Sequence, residues 1–332
     1  MISRRHLITS SATGALMAAF TGRAWPQASN RVWPSRFVRL IVPFAPGGAN
    51  EVTARSLAAK LSELWGQQVV VENRPGGSAN VGAEAAMRAP PDGYTIFLGS
   101  FPNAVNRFLY PHLAYDILAD FIPVTLIGVT PTLMCVPNAS PARSVAEFIA
   151  YAKANPGKIT FASSGAGTAI HLSGQLLKRV AGIEMTHVPY RGGAPALADL
   201  IPGRIDLMFN VISSVLPQVR DGQMRGLSVT STRRVPAAPE FPTMAEAGLP
   251  GFDLAAWFGL FVPAKTPPEI VAKIHSSAAT ALADPGVRER LEHLGVLLVG
   301  STPDEFAIYL KAELDKWGPI IKEAGITAHG TE

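Results

Sequence analysis

Two glycine-rich loops in this chain each follow a β-type run of residues and precede a helical pattern. The first loop, residues 44–49, includes Phe44, Pro46, Gly47, Gly48 and Ala49. The second loop, residues 163–168, includes Ser163, Ser164, Gly165, Gly167 and Thr168. The N-terminus of a helix leaves backbone N–H groups without partners, and the helix dipole there favours an anion. Both loops therefore have the chemistry of a carboxylate-binding site.

The two loops belong to a repeated plan of strand, loop, helix, second strand and an arginine followed by two glycines. The first copy has its strand at 38–44 and ends in Arg74, Gly76 and Gly77; the second has its strand at 159–163 and ends in Arg191, Gly192 and Gly193. Two such copies predict a ligand held between two lobes. Arg74 and Arg191 either bind a ligand carboxylate bidentately or brace their own turns through local carbonyls, and the sequence leaves both roles open.

Length and composition indicate a globular protein of two α/β lobes. A chain of 332 residues exceeds one ordinary hydrophobic core. Hydrophobic residues make up 48% and charged residues 16% of the chain, which excludes a disordered protein. The alternation of strand and helix patterns favours mostly parallel sheets.

Residues 1–28 have the pattern of a cleaved export signal. Arg4 and Arg5 precede an apolar run at 7–20, and small residues near Ala24 and Ala28 suit cleavage, with Ala28 preferred. The paired arginines resemble a twin-arginine signal, although an ordinary secretory signal with two chance arginines stays open. Cleavage lowers Lys+Arg from 29 to 26 against 25 Asp+Glu, so the mature charge is about +1. No basic run with interleaved aromatics supports nucleic-acid binding.

The mature protein is expected to be periplasmic, monomeric and not membrane-anchored. No later stretch reaches about 18 uninterrupted apolar residues. Cys135 is the only cysteine, so there is neither an intrachain disulfide nor a lipoprotein cysteine near the cleavage site. Its apolar neighbours predict that Cys135 is a small buried hydrophobe rather than a nucleophile.

The residue patterns predict the following elements. The first lobe has strands at 38–44, 68–72 and 94–100, helices at 50–64 and 78–87, and an apolar crossover at 121–137. The second lobe has helices at 144–154, 170–181 and 194–200 and strands at 159–163, 185–190, 205–211 and 226–230. A return strand at 254–262 and helices at 268–283, 287–294 and 303–324 complete the first lobe. The predicted division is therefore a signal at 1–28, lobe 1 at 29–132, lobe 2 at 133–256 and a return of lobe 1 at 257–332.

Several segments, in this order, resemble the Bug-type receptors of tripartite tricarboxylate transporters. They are RLIVPFAPGGANEVTAR, VENRPGGSANVGAEAAMRAPPDGYTIFLGS, FASSGAGTAIHLSGQLL, HVPYRGGAPALADLIPGRIDLMF and WFGLFVPAKTP. The resemblance covers about 290 residues. It implies a type II periplasmic-binding-protein fold, with two α/β lobes and a hinged central cleft, and a small carboxylate as the ligand. It also implies a membrane transporter as the partner.

The resemblance implies a set of ligand-binding residues beyond the two loops. Ser78, Asn80, Ser100 and Phe101 are expected to face the cleft from lobe 1, and His171, Tyr190, Arg191 and Asp206 match recurring positions in lobe 2. Glu51 stands where the family has Asp, and its longer side chain is expected to alter ligand choice. Glu51 is also expected to pair with Arg55, four residues later on the first helix.

Other roles of these residues stay open. Asp206 anchors a loop or contacts the ligand, and Trp257 packs in the hinge or covers the cleft, with hinge packing preferred. His171 lies one turn inside a helix, where its ring could reach a loop carbonyl. Neither loop has a complete dinucleotide or phosphate-loop motif, and no histidine pair has metal-ligand spacing, so no cofactor and no metal are expected.

The preferred function is capture of a carboxylate and its delivery to a transporter, without catalysis. An exported enzyme is a second hypothesis, because twin-arginine export often serves oxidoreductases and because Ser163, Ser164 and His171 are hydrolase residue types. However, no G-x-S-x-G elbow is present. A sensor that presents its ligand-bound form to a signalling partner is a third hypothesis.

Overall fold

The computed structural model describes residues 33–44, 46, 49–165, 167–190, 192–328 and 330–331. The predicted export signal at 1–28 lies outside the described residues, as do Gly47, Gly48 and Arg191 of the predicted site.

Strands and helices alternate along the described chain, as the sequence predicts. The strands are β1 (Val38–Val42), β2 (Val69–Asn73), β3 (Thr95–Ser100), β4 (Phe121–Pro137), β5 (Thr160–Ser163), β6 (Thr186–Pro189), β7 (Leu207–Val211), β8 (Met224–Val229), β9 (Ala255–Pro263), β10 (Leu297–Leu298), β11 (Ile326–Thr327) and β12 (Gly330–Thr331). The helices are α1 (Ala49–Trp65), α2 (Asn80–Met87), α3 (Phe101–Leu109), α4 (Val145–Ala154), α5 (Ala169–Ala181), α6 (Gly193–Leu200), α7 (Ile212–Arg220), α8 (Pro268–Ala283), α9 (Pro285–His293) and α10 (Pro303–Glu323).

The internal repeat is longer than the sequence indicated. In the first copy β1 lies between β2 and β3, and both neighbours run parallel to it. In the second copy β5 lies in the same way between the parallel strands β6 and β7. Each of these six strands is followed by a helix, so both copies have the order β-α-β-α-β-α. We call β2, β1, β3 and β9 the first half-sheet, and β6, β5, β7 and β8 the second half-sheet.

The long strand β4 joins the two half-sheets. From Phe121 to Pro131 it pairs antiparallel with β9. From Thr132 onward it pairs instead with β7 and β8, on the second half-sheet. This change of partners lies next to the predicted lobe boundary at residue 132. The full division into lobes stays a prediction, because residues 33–332 form one contiguous contact unit.

The first half-sheet is buried on both faces. Leu40 of β1 packs in one hydrophobic cluster with Leu57 of α1 and Ile274 of α8. Its neighbour Ile41 belongs to the other cluster, which includes Phe306 of α10. Successive strand residues point to opposite faces, so burial on both sides explains the unbroken apolar run of β1.

Capping residues set several helix boundaries. Thr302 and Glu305 form a capping box before Pro303, which confirms the predicted start of α10. Helix α9 begins at Pro285, earlier than predicted, because the Asp284 carboxylate accepts hydrogen bonds from the first-turn amides. Helix α2 begins at Asn80 rather than at residue 78. The sequence patterns did not predict helices α3 and α7.

Two side chains on the long strands are buried. Trp257 of β9 is fully buried and packs edge-on against Phe306 and Tyr309 of α10, which fits the preferred packing role, while its place in a hinge stays a prediction. Cys135 of β4 is fully buried, and this burial raises the pKa of its thiol. Within the described residues, no helix combines the length and apolar character needed to cross a bilayer.

Candidate ligand-binding site

Most of the predicted site residues follow the carboxyl ends of parallel strands. The first loop follows β1, Ser100 ends β3 and Ser163 ends β5. The carboxyl ends of parallel strands meet at one edge of a sheet, which is where open α/β proteins bind ligands. Each half-sheet therefore brings its own predicted residues to one edge.

The turn that follows β2 has an unusual backbone. Gly77, Ser78 and Ala79 have φ angles of 55°, 53° and 75°, so three consecutive residues are left-handed. For a residue with a side chain this conformation costs about 1–3 kcal/mol. Ser78 and Ala79 therefore need neighbouring groups that hold them, and this turn replaces the helical start predicted at residue 78.

Two asparagines of α3 hold this left-handed turn. Asn106 Nδ2 donates to the Ser78 carbonyl oxygen at 2.7 Å, and Asn103 Nδ2 donates to the Ala79 carbonyl oxygen at 3.3 Å. Asn80 Oδ1 accepts from Asn106 Nδ2 at 2.7 Å and from the Tyr115 hydroxyl at 3.0 Å. We call Asn80, Asn103, Asn106 and Tyr115 the asparagine cluster. Burial raises the pKa of Tyr115 to about 12, so all four groups are uncharged at neutral pH.

The asparagine cluster keeps one unsatisfied acceptor. Asn106 is fully buried, and its Oδ1 has no hydrogen-bond partner within the described part of the chain. A buried acceptor without a partner costs about 1–3 kcal/mol. A water molecule or a ligand hydroxyl beside Ser78 and Asn80 would remove that cost.

Ser100 and Phe101 have structural roles at the start of α3. The Ser100 N–H donates to Asn103 Oδ1 at 3.0 Å, which closes a capping box. The Phe101 ring is 1% exposed and packs edge-on against Trp317, with 5.6 Å between ring centroids. Phe101 is thus a core residue, and its predicted position facing the cleft does not fit this packing.

Most described amides of the second loop are used within the protein. The Gly165 N–H donates to Ser163 Oγ at 3.2 Å, and the Gly167 N–H donates to His171 Nδ1 at 3.1 Å. Thr168 caps α5, because its Oγ1 accepts from the His171 N–H at 3.2 Å. Among the described residues, the first-turn amides of Ala169 and Ile170 have no protein acceptor. Those two amides lie at the positive end of the α5 dipole, which favours an anion.

Two stacked histidines lie beneath the second loop. The rings of His171 and His187 are 3.8 Å apart between centroids and nearly parallel, at 14°. Burial lowers the pKa of His171 to about 3 and the pKa of His187 to about 4. Both rings are therefore neutral at neutral pH. We call His171 and His187 the histidine pair.

The histidine pair fixes the shape of the second loop. His171 is fully buried, so it does not touch a ligand directly, and its Nδ1 accepts the Gly167 amide rather than reaching a loop carbonyl. His187 Nε2 lies 2.7 Å from Ser163 Oγ, at the other end of the loop. A neutral imidazole is needed for the bond from Gly167, because a protonated ring has no acceptor. Burial of the pair thus keeps the loop in one conformation.

The first turns of α1 carry unsatisfied polar atoms beside the first loop. Asn50 Oδ1 and Thr53 Oγ1 are buried and have no hydrogen-bond partner among the described residues. The Glu51 carboxylate is bound by Arg55 Nε at 2.6 Å, which confirms the predicted pair. Asn73 Nδ2 donates to the Phe44 carbonyl oxygen at 2.9 Å and so holds the start of the loop. Pro46 is exposed.

Helix α3 connects the asparagine cluster with the second loop. Gly167 has φ +71°, and a Cβ built on it would overlap Cδ1 of Leu109, the last residue of α3. The same helix carries Asn103 and Asn106. A displacement of α3 would therefore alter the contacts of both the left-handed turn and the second loop.

Asp206, Tyr190 and Arg74 each bind protein groups. Asp206 Oδ2 accepts from the Thr160 N–H and hydroxyl at 2.8 Å, at the amino end of β5 and therefore away from Ser163. This contact fits the anchoring role and not the predicted place in the cleft. The Tyr190 hydroxyl donates to Asp199 Oδ2 at 2.7 Å. Arg74 Nε donates to Glu72 at 2.7 Å, so Arg74 braces its strand through a carboxylate rather than through carbonyls.

Sequence reasoning missed Asn103, Asn106, Tyr115 and His187. Ser100, Pro102 and Asn103 have the spacing of a helix start, and this pattern would have placed both asparagines on one face of α3. His187 has no local pattern of this kind, because it meets His171 only through the pairing of β6 with β5.

Solved structures and curated sequences share this fold over nearly the whole chain. A Rhodopseudomonas palustris protein solved with adipate is 38% identical, with a TM-score of 0.77, and the match covers 89% of this chain and 99% of that one. MatC from R. palustris, solved with bound malate, is 34% identical, with a TM-score of 0.73 and coverage of 87% and 99%. Protein BugT of Bordetella pertussis is 34% identical over 312 residues, 93% of this chain and 95% of BugT.

The family model for the tripartite tricarboxylate transporter family receptor matches residues 53–326. This match confirms the resemblance drawn from the sequence segments. A third solved relative, the periplasmic binding protein BugD, is 34% identical, with a TM-score of 0.74 and coverage of 89% of this chain and 99% of that one, and the α/β fold is as predicted. The chain belongs to the family of tripartite tricarboxylate transporter receptors.

Proposed function

We propose that the exported protein captures a small carboxylate between two lobes in the periplasm and delivers it to a membrane transporter. The observation that carries the proposal is the presence of adipate in one relative and malate in another, both matched over 99% of their length. Both ligands are dicarboxylates of similar size. A dicarboxylate is therefore the first ligand class to test.

The proposed binding groups come from both half-sheets. The free amides of Ala169 and Ile170 would bind one carboxylate at the start of α5. The Thr53 hydroxyl at the start of α1 would donate toward the ligand through a bridging water, since Thr53 is itself fully buried and its Oγ1 has no partner among the described residues. Only a closed arrangement makes both sets of contacts, so the ligand would shift the population toward closure.

We also propose that binding proceeds without chemistry. Ser163 Oγ and His187 Nε2 are 2.7 Å apart, which is the spacing of a nucleophile and its base. However, Ser163 is fully buried, and no described carboxylate contacts the His187 ring. We expect the protein to hydrolyse p-nitrophenyl acetate no faster than its Ser163→Ala variant. A rate lost in that variant would favour the exported-enzyme hypothesis.

Calorimetry on the mature protein tests the binding proposal. We expect adipate, malate or succinate to bind saturably at micromolar Kd or tighter, roughly 8 kcal/mol, whereas the uncharged adipamide does not. Thr53→Val removes the unsatisfied hydroxyl without changing the shape of the side chain, and we expect it to weaken binding by about fivefold to tenfold. Thr130→Val is the matched control, because Thr130 on β4 also has a buried hydroxyl without a partner in the part of the chain that the structure describes.

Two outcomes would contradict the proposal. If no carboxylate tested binds or raises the melting temperature, the protein does not capture carboxylates. If Thr53→Val and Thr130→Val weaken binding equally, the start of α1 is not part of the binding site. Delivery is tested separately, as uptake of the labelled ligand by cells that carry or lack the receptor gene.

A further inference from the structure

A groove of about 810 Å³ is lined by none of the predicted site residues. One wall is formed by α7 and residues 233–237, which belong with the second half-sheet. The other wall is formed by α9 and the segment 295–298, which pairs with β4 beside the first half-sheet. Its size falls in the range of small-molecule sites, about 300–1,000 Å³.

The groove is lined mainly by apolar side chains. They include Leu216 and Pro217 of α7, Val235 and Pro236 of the following segment, and Val296 and Leu297. At its base, Gly295 lies against the start of α7: a Cβ on Gly295 would come within 3.0 Å of Ile212 Cγ2. The two walls are therefore in contact at the base of the groove.

Three of the four arginines in the groove are neutralised by glutamates. Arg220 pairs with Glu240 at 3.0 Å, Arg234 with Glu246 at 2.9 Å and Arg288 with Glu292 at 3.3 Å. The last pair shares its helix with Glu289, which has only His293 near it, at 3.9 Å. These pairs leave little positive charge for a second anionic group.

Arg233 is the exception. Its side chain is exposed at the groove, and its guanidinium has no hydrogen-bond or ionic partner among the described residues. Its backbone carbonyl accepts a hydrogen bond from the Ser231 hydroxyl at 2.7 Å. The groove thus combines an apolar floor with one uncompensated cation.

We propose that this groove is a second binding site, for an amphipathic monoanion with an apolar body and a single carboxylate or sulfonate. The anion binds Arg233 through charge-assisted hydrogen bonds, and the apolar body covers Leu216, Pro236 and Leu298, the lining side chains that keep accessible surface. A short dicarboxylate does not suit the site, because one of its charges would meet apolar side chains or Glu289. The site goes beyond the proposed function, since it shares no residue with the predicted cleft.

Fluorescence titration with anilinonaphthalene sulfonate tests the site directly, with saturating adipate present so that the predicted cleft is blocked. We expect saturable binding of one probe per protein, displaced by decanoate but not by decanol. Arg233→Gln is expected to weaken probe binding by about tenfold. Leu216→Asp, which places a carboxylate on the apolar wall, is expected to abolish it.

Arg143→Gln is the matched control, because Arg143 is an exposed arginine outside the groove whose side chain has no described partner. We expect it to leave probe binding unchanged. Equal affinities for the Arg233→Gln and Arg143→Gln variants, or no saturable binding at all, would overturn the proposal. Sedimentation that shows a dimer which the probe dissociates would overturn it too, because the groove would then be covered by a second copy of the chain. Calorimetry with adipate on the same Arg233→Gln sample tests the proposed function separately. Adipate binding without probe binding would overturn only the second site, whereas loss of adipate binding in the unmodified protein would overturn the proposed function.

Discussion

The two β-α-β-α-β-α copies have the same strand order and differ in what holds their turns. In the first copy, amide and phenol groups of the asparagine cluster bind the left-handed turn at 77–79. In the second copy, the histidine pair binds both ends of the loop at 163–168. The same backbone plan therefore carries its supported turn at different places: after the second strand, held by amide and phenol groups, in the first copy, and after the first strand, held by neutral imidazoles, in the second.

The largest effect is expected from the first copy. Asn106→Leu removes the bonds to the Ser78 carbonyl and to Asn80, and we expect it to lower the free energy of unfolding by about 3 kcal/mol. Asn138→Leu is the control, since it removes one exposed bond to Gly222 and should cost less than about 1 kcal/mol. Urea unfolding measures both, and equal losses would show that the cluster does not hold the turn.

The next effect should be confined to the second copy. The folded pKa values of His171 and His187 lie below the unfolded value of 6.5, so the unfolded chain binds more protons as the pH falls. We expect the histidine pair to lower the free energy of unfolding by about 2 kcal/mol when the pH falls from 7 to 5. This figure allows for the partial exposure of His187. Urea unfolding at both pH values measures this loss.

A double variant, His171→Asn with His187→Asn, should flatten this dependence on pH. His293→Asn, which changes an exposed histidine on α9, should not. An unchanged slope in the double variant would mean that other groups cause the loss of stability in acid.

A smaller effect tests the contact between α3 and the second loop. Gly167→Ala and Gly157→Ala introduce a Cβ at nearly the same backbone conformation, φ +71° and +72°, but only Gly167 faces another residue, Leu109. We expect Gly167→Ala to be less stable than Gly157→Ala by about 1 kcal/mol, measured by urea unfolding. Equal stabilities would show that Leu109 of α3 does not pack tightly against the second loop.

The smallest effect is a gain. Ala79→Gly removes the side chain that makes φ 75° costly, and we expect it to raise the unfolding free energy by about 0.5–1 kcal/mol. Ala150→Gly in the exposed face of α4 is the control and should lower it by about 1 kcal/mol. A loss at both positions would mean that the left-handed turn is not strained.

The sequence predicted the regular parts of the fold because local patterns specify them. The apolar run of β1, the caps of α5 and α10 and the pair of Glu51 with Arg55 are all set by residues close in the chain. The left-handed Ser78 could not be predicted in this way, since its conformation depends on Asn106, 28 residues later. The stacking of His171 on His187 depends likewise on which strands pair.

Part of the predicted site was placed by family resemblance rather than by local physics. Asp206 was placed in the cleft in this way, yet its carboxylate holds the start of β5 at the other end of the strands. Phe101 was placed there too, but its ring fills a gap beside Trp317. In both cases the residue type fits a second, structural role that the sequence could not distinguish from ligand contact.

The change of partners along β4 limits how the molecule can move. The ladder with β9 ends at Pro131, which has no amide hydrogen to donate, and the ladder with β7 begins at Thr132. A torsional change between these two residues would leave the ladders of β4 on either side of the junction intact. We therefore expect any reorientation of the two half-sheets to occur at this junction, where β4 loses little backbone pairing.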